Sequence, residues 1–496
     1  MNELFRELPP PDPDRAPDRA LAAPEAPPAR KRPVRRTRKN LAPLALLTDE
    51  SGSPAQSRAL ALTPGSGQRA LAMPPVEAPR VRTWRPGVFG VLDIGTSKVT
   101  CLIGRGEPDG SLRIMGCGWQ RSRGVKLGGI IDLKQAERAI RAAVGQAEEA
   151  ADHHLRAVTV SLTCGQPESR MFNVRWPVGG RIVGDSDIRR IVNEGRARAA
   201  TDGRDVIHAL PLHFSVDEVE GVEDPRGHHC DQLSARLHVI DATSMALRNL
   251  TAVISRCDLG VAEMVAAPFA SGLSVLVEDE RELGATVIDM GGGTTQIAVF
   301  AENQLLYSSQ LAIGGHHVTV DIAKGLSTPI GSAERLKVMF GHTESTIEDE
   351  RELLQVQQIG EDEHRFVRYP RSLLVSVIRP RLEETFEMVR DKLDSAGLGR
   401  AADGRHGGRV VLTGGASQLD GVQRLATLIL NRQVRLGRPT GMRGLPTDAS
   451  GPGFATATGL LSWAAGAGRH LNDIDLAEPR PSGFIRRLVE FLRDRV

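Results

Sequence analysis

Two segments of the chain share one pattern and decide the fold: residues 91–103 are VLDIGTSKVTCLI, and residues 287–300 are VIDMGGGTTQIAVF. In each, an apolar run ends in aspartate, passes through glycine and small hydroxyl residues, and returns to an apolar run. This pattern is typical of two strands joined by a tight turn. Asp93 and Asp289 are 196 positions apart. The repeat therefore predicts a duplicated domain whose two turns face each other across a cleft.

The residues of these turns are suited to a nucleoside triphosphate. Glycine has no Cβ, so backbone N–H groups can approach an oxyanion closely, and hydroxyls and a lysine add donors. Two aspartates beside phosphates would repel them unless a hard cation intervened, and Mg²⁺ is typically held by one or two carboxylates with phosphate oxygens. One such turn is also ordinary hairpin chemistry, whereas the matched pair predicts ATP and Mg²⁺. The predicted phosphate- and metal-binding residues are Asp93, Gly95, Thr96, Ser97, Lys98, Asp289, Gly291, Gly292, Gly293, Thr294 and Thr295, with Asp93 and Asp289 holding the metal through water.

A third segment, residues 409–419 (RVVLTGGASQL), predicts a buried strand, a diglycine turn and the start of a helix. Gly414 and Gly415 would admit an adenosine moiety closely, although a plain strand-to-helix turn has the same pattern. Upstream, we predict a helix capped by Ser332. Its Glu334 and Lys337 share one face and could reach the ribose or base, or could form an exposed ion pair.

Composition separates a folded region from its ends. The chain has 496 residues and a net charge of +2, yet residues 1–85 hold fifteen Lys or Arg against nine Asp or Glu. Half of the 30 prolines lie in residues 1–80, so we expect a disordered extension over residues 1–86, with a basic run at Arg30–Lys39. This basic run is either a solvated tail or a weak contact for anionic lipid or nucleic acid. The rest of the chain is close to neutral, which argues against a nucleic-acid partner.

Strands and helices alternate from about residue 88 to 468, which indicates an α/β fold. The five scattered cysteines suit reduced thiols.

The last fourteen residues, 483–496 (GFIRRLVEFLRDRV), follow a proline-bearing linker at 471–482. As a helix, their apolar side chains fall within an arc of about 160° opposite the arginines. Such a helix is roughly 21 Å long, too short to cross a bilayer but suited to lie in an anionic interface. The alternative is a helix docked on the protein's own core or on a partner. The predicted membrane-contacting residues are Phe484, Ile485, Arg486, Arg487, Leu488, Phe491, Leu492 and Arg493.

Taken in order, the three nucleotide segments resemble the phosphate-1, phosphate-2 and adenosine motifs of the actin, sugar-kinase and chaperone ATPase superfamily. Within it, the chain resembles the FtsA family of bacterial cell-division proteins. The segments that carry this resemblance are 122–132 (SRGVKLGGIID), 266–272 (AAPFASG), 278–284 (EDERELG), 314–323 (GGHHVTVDIA) and 378–384 (IRPRLEE). The resemblance covers about residues 88–496 and implies an actin-like duplicated ATPase fold with two lobes around a nucleotide cleft.

The resemblance also implies how the chain is divided. Ala416 joins Gly414 and Gly415 at the adenosine, and subdomain 2B receives the C-terminal tail of the tubulin-like FtsZ. Arg371, Arg379 and Arg381 lie in a helix-like segment of that subdomain and could pair with an acidic tail, or form an ordinary solvated helix face. The implied parts are residues 87–161 and 241–283 for lobe 1 (subdomain 1A), 162–240 for the inserted subdomain 1C, 284–325 for lobe 2 (subdomain 2A), 326–395 for subdomain 2B, and 396–470 for the return through 2A and 1A.

The implied function is an ATP-binding protein that polymerises on the inner membrane, tethers FtsZ filaments there and helps recruit later division proteins through subdomain 1C. It would be a peripheral membrane protein of the Z-ring and divisome, at the cytoplasmic face of the septum.

Relatives usually carry Glu or Gln where residues 265–269 here are apolar, so we expect weak or no ATP hydrolysis. The alternatives are a sugar kinase-like enzyme and a pilus-assembly actin-like scaffold. The adjacent His228, His229 and Cys230 lack zinc-site spacing and indicate a solvated loop.

Overall fold

The computed structural model describes residues 84–360, 366–399 and 408–466. All of them belong to one compact unit, Glu77–Val496. The basic run Arg30–Lys39, the predicted linker 471–482 and the predicted amphipathic helix 483–496, with its membrane-contacting residues, lie outside the described residues.

The described residues form an alternation of strands and helices. The strands are β1 (Gly87–Ile94), β2 (Lys98–Gly106), β3 (Leu112–Arg121), β4 (Val125–Lys126), β5 (Gly129–Ile130), β6 (Ala157–Leu162), β7 (Glu168–Pro177), β8 (Arg204–Val216), β9 (Val219–Val222), β10 (Gln232–Thr243), β11 (Gly260–Ala266), β12 (Ala285–Met290), β13 (Thr295–Ala301), β14 (Gln304–Leu311), β15 (Leu353–Gln357), β16 (Phe366–Pro370), β17 (Arg409–Thr413), β18 (Val434–Leu436) and β19 (Met442–Arg443). The α-helices are α1 (Leu133–Ala151), α2 (Asp185–Ala199), α3 (Ser244–Ser255), α4 (Ala267–Val275), α5 (Glu278–Leu283), α6 (Gly315–Gly325), α7 (Ile330–Phe340), α8 (Ile347–Arg351), α9 (Arg371–Ser395), α10 (Val422–Leu430) and α11 (Ala455–Ala464). Short 3-10 turns span Gly415–Gln418, Thr447–Ala449 and Pro452–Phe454.

The first lobe is built on a six-stranded sheet in the order β11-β6-β1-β2-β3-β19. Strands β1, β2 and β3 are antiparallel, and β6 runs parallel to β1. Helix α1 packs on this sheet because its alanines and Ile140 recur every three or four residues along one side. Gly116 and Gly118 of β3 admit the helix, since a Cβ at either position would lie 2.1 Å from a carbonyl oxygen of α1.

The second lobe repeats this arrangement. Its sheet has the order β14-β13-β12-β17-β18, with β12, β13 and β14 antiparallel and β17 parallel to β12. The strands β14-β13-β12-β17 therefore match β3-β2-β1-β6 in order and direction. The two hairpins that carry the sequence repeat occupy equivalent places in the two sheets, which confirms the predicted duplicated α/β fold.

The inserted part of the chain forms a separate antiparallel sheet in the order β7-β10-β8-β9, with α2 on one face. Its own core includes Phe214 of β8 and the apolar side of α2. His208, also on β8, joins this sheet to lobe 1, because its Nε2 accepts a hydrogen bond of 3.0 Å from the Ala266 N–H. The ring of His208 also meets Phe269 and Trp463 edge-on.

Helices α6, α7, α9 and α10 and the hairpin β15–β16 share one hydrophobic core with the second sheet. Helix α7 begins at Ile330, two residues before the predicted cap at Ser332. Ser332 is instead buried, and its hydroxyl donates to the side chain of Gln357 at 3.0 Å.

Helices α4 and α11 pack together where the two lobes meet. The hydrophobic cluster around them contains residues of both sheets, including Val91 of β1 and Val287 of β12. Gly459 of α11 allows this approach, because a Cβ there would lie 1.7 Å from the carbonyl oxygen of Ala270 in α4. Ser271 of α4 and Thr456 of α11 both donate hydrogen bonds to Asp289, and this places both helices against the candidate site.

Candidate nucleotide-binding site

The two repeated turns have the same internal geometry and touch each other. In the first, the Gly95 N–H donates to the carbonyl of Lys98 at 3.0 Å, and in the second the Gly291 N–H donates to the carbonyl of Thr294 at 2.9 Å. A Cβ at Gly292 would lie 1.9 Å from Ser97 Oγ, and one at Gly293 would lie 2.5 Å from Thr96 Oγ1. Glycine is therefore required at the second turn for the two lobes to meet here.

Asp93, near the end of β1, is the buried acid of the first turn. The Ser161 hydroxyl of β6 donates to its Oδ1 at 2.7 Å. Burial raises the pKa of the Asp93 carboxyl to about 6, against the opposing effects of Ser161 and Lys98, and the charge of Asp289 raises it further. The charge of Asp289 is the smallest of these causes, and it indicates that the two aspartates lie close enough for the charge of one to act on the other.

Asp289 occupies the matching position on β12 and has more partners. Ser271 of α4 and Thr456 of α11 both donate to its Oδ2, the latter at 3.1 Å. Burial raises the pKa of Asp289 as well, while these two hydroxyls and Lys98 act in the opposite direction. Gly414, from the third predicted segment, faces the other carboxylate oxygen, since a Cβ there would lie 2.3 Å from Asp289 Oδ1.

Lys98 is the cation common to both aspartates. Burial lowers its pKa to about 8, although Asp93 and Asp289 favour its charged form. Its Nζ lies 3.0 Å from the centre of the Phe454 ring, a cation–π contact with the 3-10 turn Pro452–Phe454. The same turn approaches Gly415, because a Cβ at Gly453 would lie 3.5 Å from the Gly415 Cα.

Glu334 and Lys337 lie beside the glycine-rich turn. Lys337 Nζ donates to the Gly315 carbonyl at 3.1 Å, to Thr319 Oγ1 at 2.9 Å and to Glu334 Oε2 at 2.8 Å. The Lys337 side chain is only 15% exposed, whereas that of Glu334 is 42% exposed, so the ion pair that was the alternative is present but only its acid is open to solvent. Ala416 reaches the same place, since a Cβ at Gly315 would lie 3.0 Å from the Ala416 Cβ. The structure thus brings the residues of all three predicted segments together.

Ser161, Ser271, Thr456 and Phe454 are the functional candidates that the sequence pattern did not indicate. Ser271 lies within the segment AAPFASG, four residues after the start of α4 at Ala267, so a hydroxyl among the apolar residues of this helix was a usable signal. Ser161 and Thr456 carry no such signal, because their relation to the aspartates depends on sheet order and helix packing.

The apolar segment 265–269 is buried at the start of α4. Val265, Ala266, Ala267 and Phe269 all lie in the core, and the segment offers no side-chain acid or amide.

The three arginines predicted to bind the FtsZ tail are each paired within the chain. Arg371 donates to Glu352 at 2.8 Å and to the Phe340 carbonyl at 2.9 Å. Arg379 pairs with Glu383 at 2.7 Å, and Arg381 pairs with Asp321 of α6 and with Glu384. Arg379 and Arg381 are two positions apart on α9, so they point to different sides of the helix and do not form one cationic cluster.

Two further observations limit the site types. Within residues 84–360, 366–399 and 408–466, no group of three or more His, Cys, Asp or Glu side chains could hold a metal ion, and His228 and His229 are exposed. Among the helices of these same ranges, none is long and apolar enough to cross a membrane.

Comparison with known proteins is decisive for the family. Residues 286–459 match the family model described as "Cell division protein FtsA", and residues 164–241 match the one described as "SHS2 domain inserted in FTSA". The chain is 42% identical over 388 residues to the cell division protein FtsA of Rhizobium meliloti, covering 76% of this chain and 87% of that protein. The chain belongs to the FtsA family. The FtsA of Escherichia coli K12 is 33% identical over 419 residues, covering 81% of this chain and 96% of that protein.

The solved structures support the fold of this FtsA-family chain. The structure titled "PilM-PilN type IV pilus biogenesis complex" matches with a TM-score of 0.55 at 17% identity, covering 77% of this chain and 99% of that one. At this identity the likeness concerns the fold alone. The predicted actin-like ATPase fold is confirmed, and the sheet β7-β10-β8-β9 with α2 is the SHS2 insert of the FtsA family.

Proposed function

We propose that the cleft binds ATP with Mg²⁺ between the two repeated turns. The observation that carries this proposal is the pair of buried aspartates, Asp93 and Asp289, one from each turn, with a single lysine between them. Burial, with a smaller effect of the Asp289 charge, raises the pKa of Asp93 to about 6, and burial raises that of Asp289 as well. A divalent cation would relieve both effects. Bound Mg²⁺ would neutralise phosphate charge, and the two carboxylates would hold it through water.

The surrounding residues fit the rest of the nucleotide. Gly292 and Gly293 carry no side chain, so a phosphate can approach their backbone N–H groups, and the hydroxyls of Thr96, Ser97 and Thr294 add donors. The N–H groups of Gly95 and Gly291 donate within their own turns, and the Thr295 hydroxyl donates to the Ile313 carbonyl at 2.8 Å, so these three residues would shape the turns around the phosphate. Lys98 supplies a positive charge for the phosphates. On the adenosine side, Gly414, Gly415 and Ala416 form a small-residue wall opposite Glu334 and Lys337.

ATP hydrolysis is proposed to be slow. The start of α4, residues 265–269, has no side chain able to orient or deprotonate an attacking water. Ser271 is the next hydroxyl residue along that helix, and its hydroxyl already donates a hydrogen bond to Asp289. Turnover well below the range of about 1–10³ per second that is typical of enzymes is the expected result of a steady-state phosphate-release assay.

In the cell, we infer the role of a peripheral membrane tether. The fourteen-residue segment 483–496 would lie in the inner membrane, and polymers of the chain would hold FtsZ filaments there and recruit later division proteins through the SHS2 insert. The support is the FtsA family together with the amphipathic pattern of Phe484 to Arg493. For the FtsZ tail, Arg379 is the easiest of the three arginines to re-pair, because it and Glu383 are both more than one third exposed.

Calorimetry of Mg²⁺-dependent ATP binding tests the site. Asp93→Ala and Asp289→Ala should each weaken binding at least tenfold, since each removes one carboxylate from the cation. Asp258→Ala is the matched control, because Asp258 is an exposed aspartate whose carboxylate pairs with Arg141 on the surface. Removing Mg²⁺ with EDTA should bring the wild type down to the affinity of the two variants. Unchanged affinity in both variants would contradict the proposed cleft.

The tether is tested by the position of a fluorescently tagged chain in dividing cells. A band at the septum that is lost on deletion of residues 483–496 is the expected result. A diffuse signal in the full-length protein would contradict a role in division.

A further inference from the structure

Three arginines form a row across the edge of the first sheet. In the β2–β3 register Arg105 lies directly opposite Arg113, and in the β3–β19 register Arg113 lies directly opposite Arg443. Residues in register on neighbouring strands point to the same face of a sheet. All three side chains are exposed. The row Arg105–Arg113–Arg443 is therefore a compact cationic strip on one face of the lobe.

The arginines of this row form no ion pairs within the described part of the chain. None of the three forms an ion pair with another described residue, whereas most other arginines near the sheets do. Two acids lie near the row. Glu107 lines the same surface pocket as Arg105 and Arg113. The hydrogen bonds from Ser111 lower the pKa of the Asp109 carboxyl, and the charge of Arg443 lowers it less. Three arginines against these two acids leave an excess of positive charge. Like charges directly opposite each other destabilise a sheet. Repulsion within the row therefore lowers the stability of the folded chain by itself, and this indicates that the row serves to bind an anionic partner.

The position of the arginine row indicates which partner. The Arg85 N–H donates to the Ala465 carbonyl at 2.8 Å, and the Trp84 indole N–H donates to the Glu107 carbonyl at 2.6 Å. The first and the last described residues of the folded body therefore lie at the same end of the sheet as the arginine row. Residues 467–496, with the segment proposed to enter the membrane, continue from this point.

We propose that the arginine row docks on the anionic headgroups of the membrane and forms a second, electrostatic contact beside the C-terminal segment. This inference rests on the proposed membrane role of residues 483–496. The sixteen residues 467–482 span at most about 55 Å, so the body can settle on the surface that the segment enters. One amphipathic segment binds reversibly, and stable anchoring usually takes a second signal such as a polybasic patch.

The docked orientation has a consequence for the cleft. β1 runs from Gly87 at the end with the arginine row to Ile94 beside the nucleotide turn. Eight residues of strand cover about 25 Å. The arginine row against the lipid would therefore hold the nucleotide site and the second lobe's turn away from the membrane, on the side open to solvent and to other copies of the chain.

Vesicle co-sedimentation of the full-length chain tests the proposal. The variant is Arg105→Gln/Arg113→Gln/Arg443→Gln. Each basic residue near an anionic surface strengthens partitioning by about fivefold, so the triple variant should bind vesicles of phosphatidylcholine mixed with phosphatidylglycerol about 100-fold more weakly. Binding to phosphatidylcholine alone should change little. Because the contact is electrostatic, raising the ionic strength should reduce the difference between variant and wild type.

The matched control is Arg175→Gln/Arg236→Gln/Arg248→Gln, which removes the same net charge from exposed arginines elsewhere on the lobe and its insert. It should bind vesicles like the wild type. Thermal unfolding supplies a second measurement, since relieving repulsion in the row should leave the triple variant as stable as the wild type or more stable. A folded triple variant that binds mixed vesicles as the wild type does would overturn the inference.

Deleting residues 483–496 separates this inference from the function on which it rests. If the deletion removes vesicle binding and the triple variant does not weaken it, the arginine row has no part in docking while the proposed tether stands. If the deletion leaves binding to both kinds of vesicle unchanged, the proposed tether itself is wrong.

Discussion

Replacing Gly292 with alanine is the sharpest test of how the two lobes meet. The added Cβ would lie 1.9 Å from Ser97 Oγ and 3.0 Å from Ser97 Cβ. The Cβ–Oγ distance must therefore grow by about 1.1 Å to reach the 3.0 Å below which such contacts are essentially never found. Either the Ser97 hydroxyl swings away from the phosphate position or the two turns separate. The backbone of Gly292 is not left-handed, so the effect comes from the contact alone.

The expected size follows from the type of change. Forcing an extra carbon into a packed contact costs typically 1–3 kcal/mol of unfolding free energy. A shift of about 1 Å at a site that positions phosphate should weaken ATP binding by at least tenfold. Urea unfolding monitored by circular dichroism gives the first quantity, and calorimetry with ATP and Mg²⁺ gives the second.

A second substitution distinguishes a clash from a general loss of structure. Ser97→Gly removes both atoms that the new Cβ meets, so the double variant Gly292→Ala/Ser97→Gly should recover most of the lost unfolding free energy. Gly145→Ala is the control for glycine replacement as such. Gly145 lies inside α1 with no atom within 4 Å of an added Cβ, so this change should stabilise the protein by roughly 0.5–1 kcal/mol. If Gly292→Ala is as stable as the wild type, or if Ser97→Gly does not restore it, the two turns do not meet as described.

Two further changes address the aspartates. Asp93→Asn should stabilise the nucleotide-free protein at neutral pH by about 1–3 kcal/mol, because burial raises the pKa of that carboxyl to about 6 and the fold favours its uncharged form. Because the folded protein favours the uncharged carboxyl, the unfolding free energy of the wild type falls as pH rises from about 4 to about 6. The extra unfolding free energy of the Asp93→Asn variant, measured with urea, should therefore vanish near pH 4. An equal increase at pH 4 and at pH 7 would contradict the assignment. Ser271→Ala should lower the unfolding free energy by about 1.5–3 kcal/mol, because Thr456 is then the remaining hydroxyl donor to Asp289 Oδ2. Ser274 lies on α4 like Ser271, but its hydroxyl pairs with the neutral hydroxyl of Thr458 on α11. Ser274→Ala should therefore lower the unfolding free energy by only about 1 kcal/mol, and equal losses would argue against a special role for Ser271.

The repeat in the sequence was sufficient to predict the duplicated sheets. An apolar run that ends in Asp93 or Asp289 and turns at glycine has few other folded solutions, so the hairpins and their equivalence could be recognised before any coordinates. The contacts around the aspartates could not. Ser161 reaches Asp93 because β6 inserts beside β1, and Thr456 reaches Asp289 because α11 returns more than 160 residues later.

The arginines show the same limit of sequence patterns. Arg371, Arg379 and Arg381 cluster in sequence, yet helix periodicity and local acids divide them among separate ion pairs. Arg105, Arg113 and Arg443 are distant in sequence, yet the pairing of the two-residue strand β19 places Arg443 beside the other two. Sequence spacing describes neighbours within one element, whereas the order of strands in a sheet determines neighbours across elements.

Helix α11 connects the two ends of this molecule mechanically. Thr456, in its first turn, holds the carboxylate of Asp289, and Ala465, just past its last residue, bonds to Arg85 where the chain leaves the body. Between these two residues α11 is about 14 Å long, is buried, and packs closely against α4. A tensile load along the axis of α11 would therefore reach the Thr456–Asp289 hydrogen bond with little bending in between. If residues 483–496 anchor the chain as proposed, tension on that anchor would act on the proposed cation site.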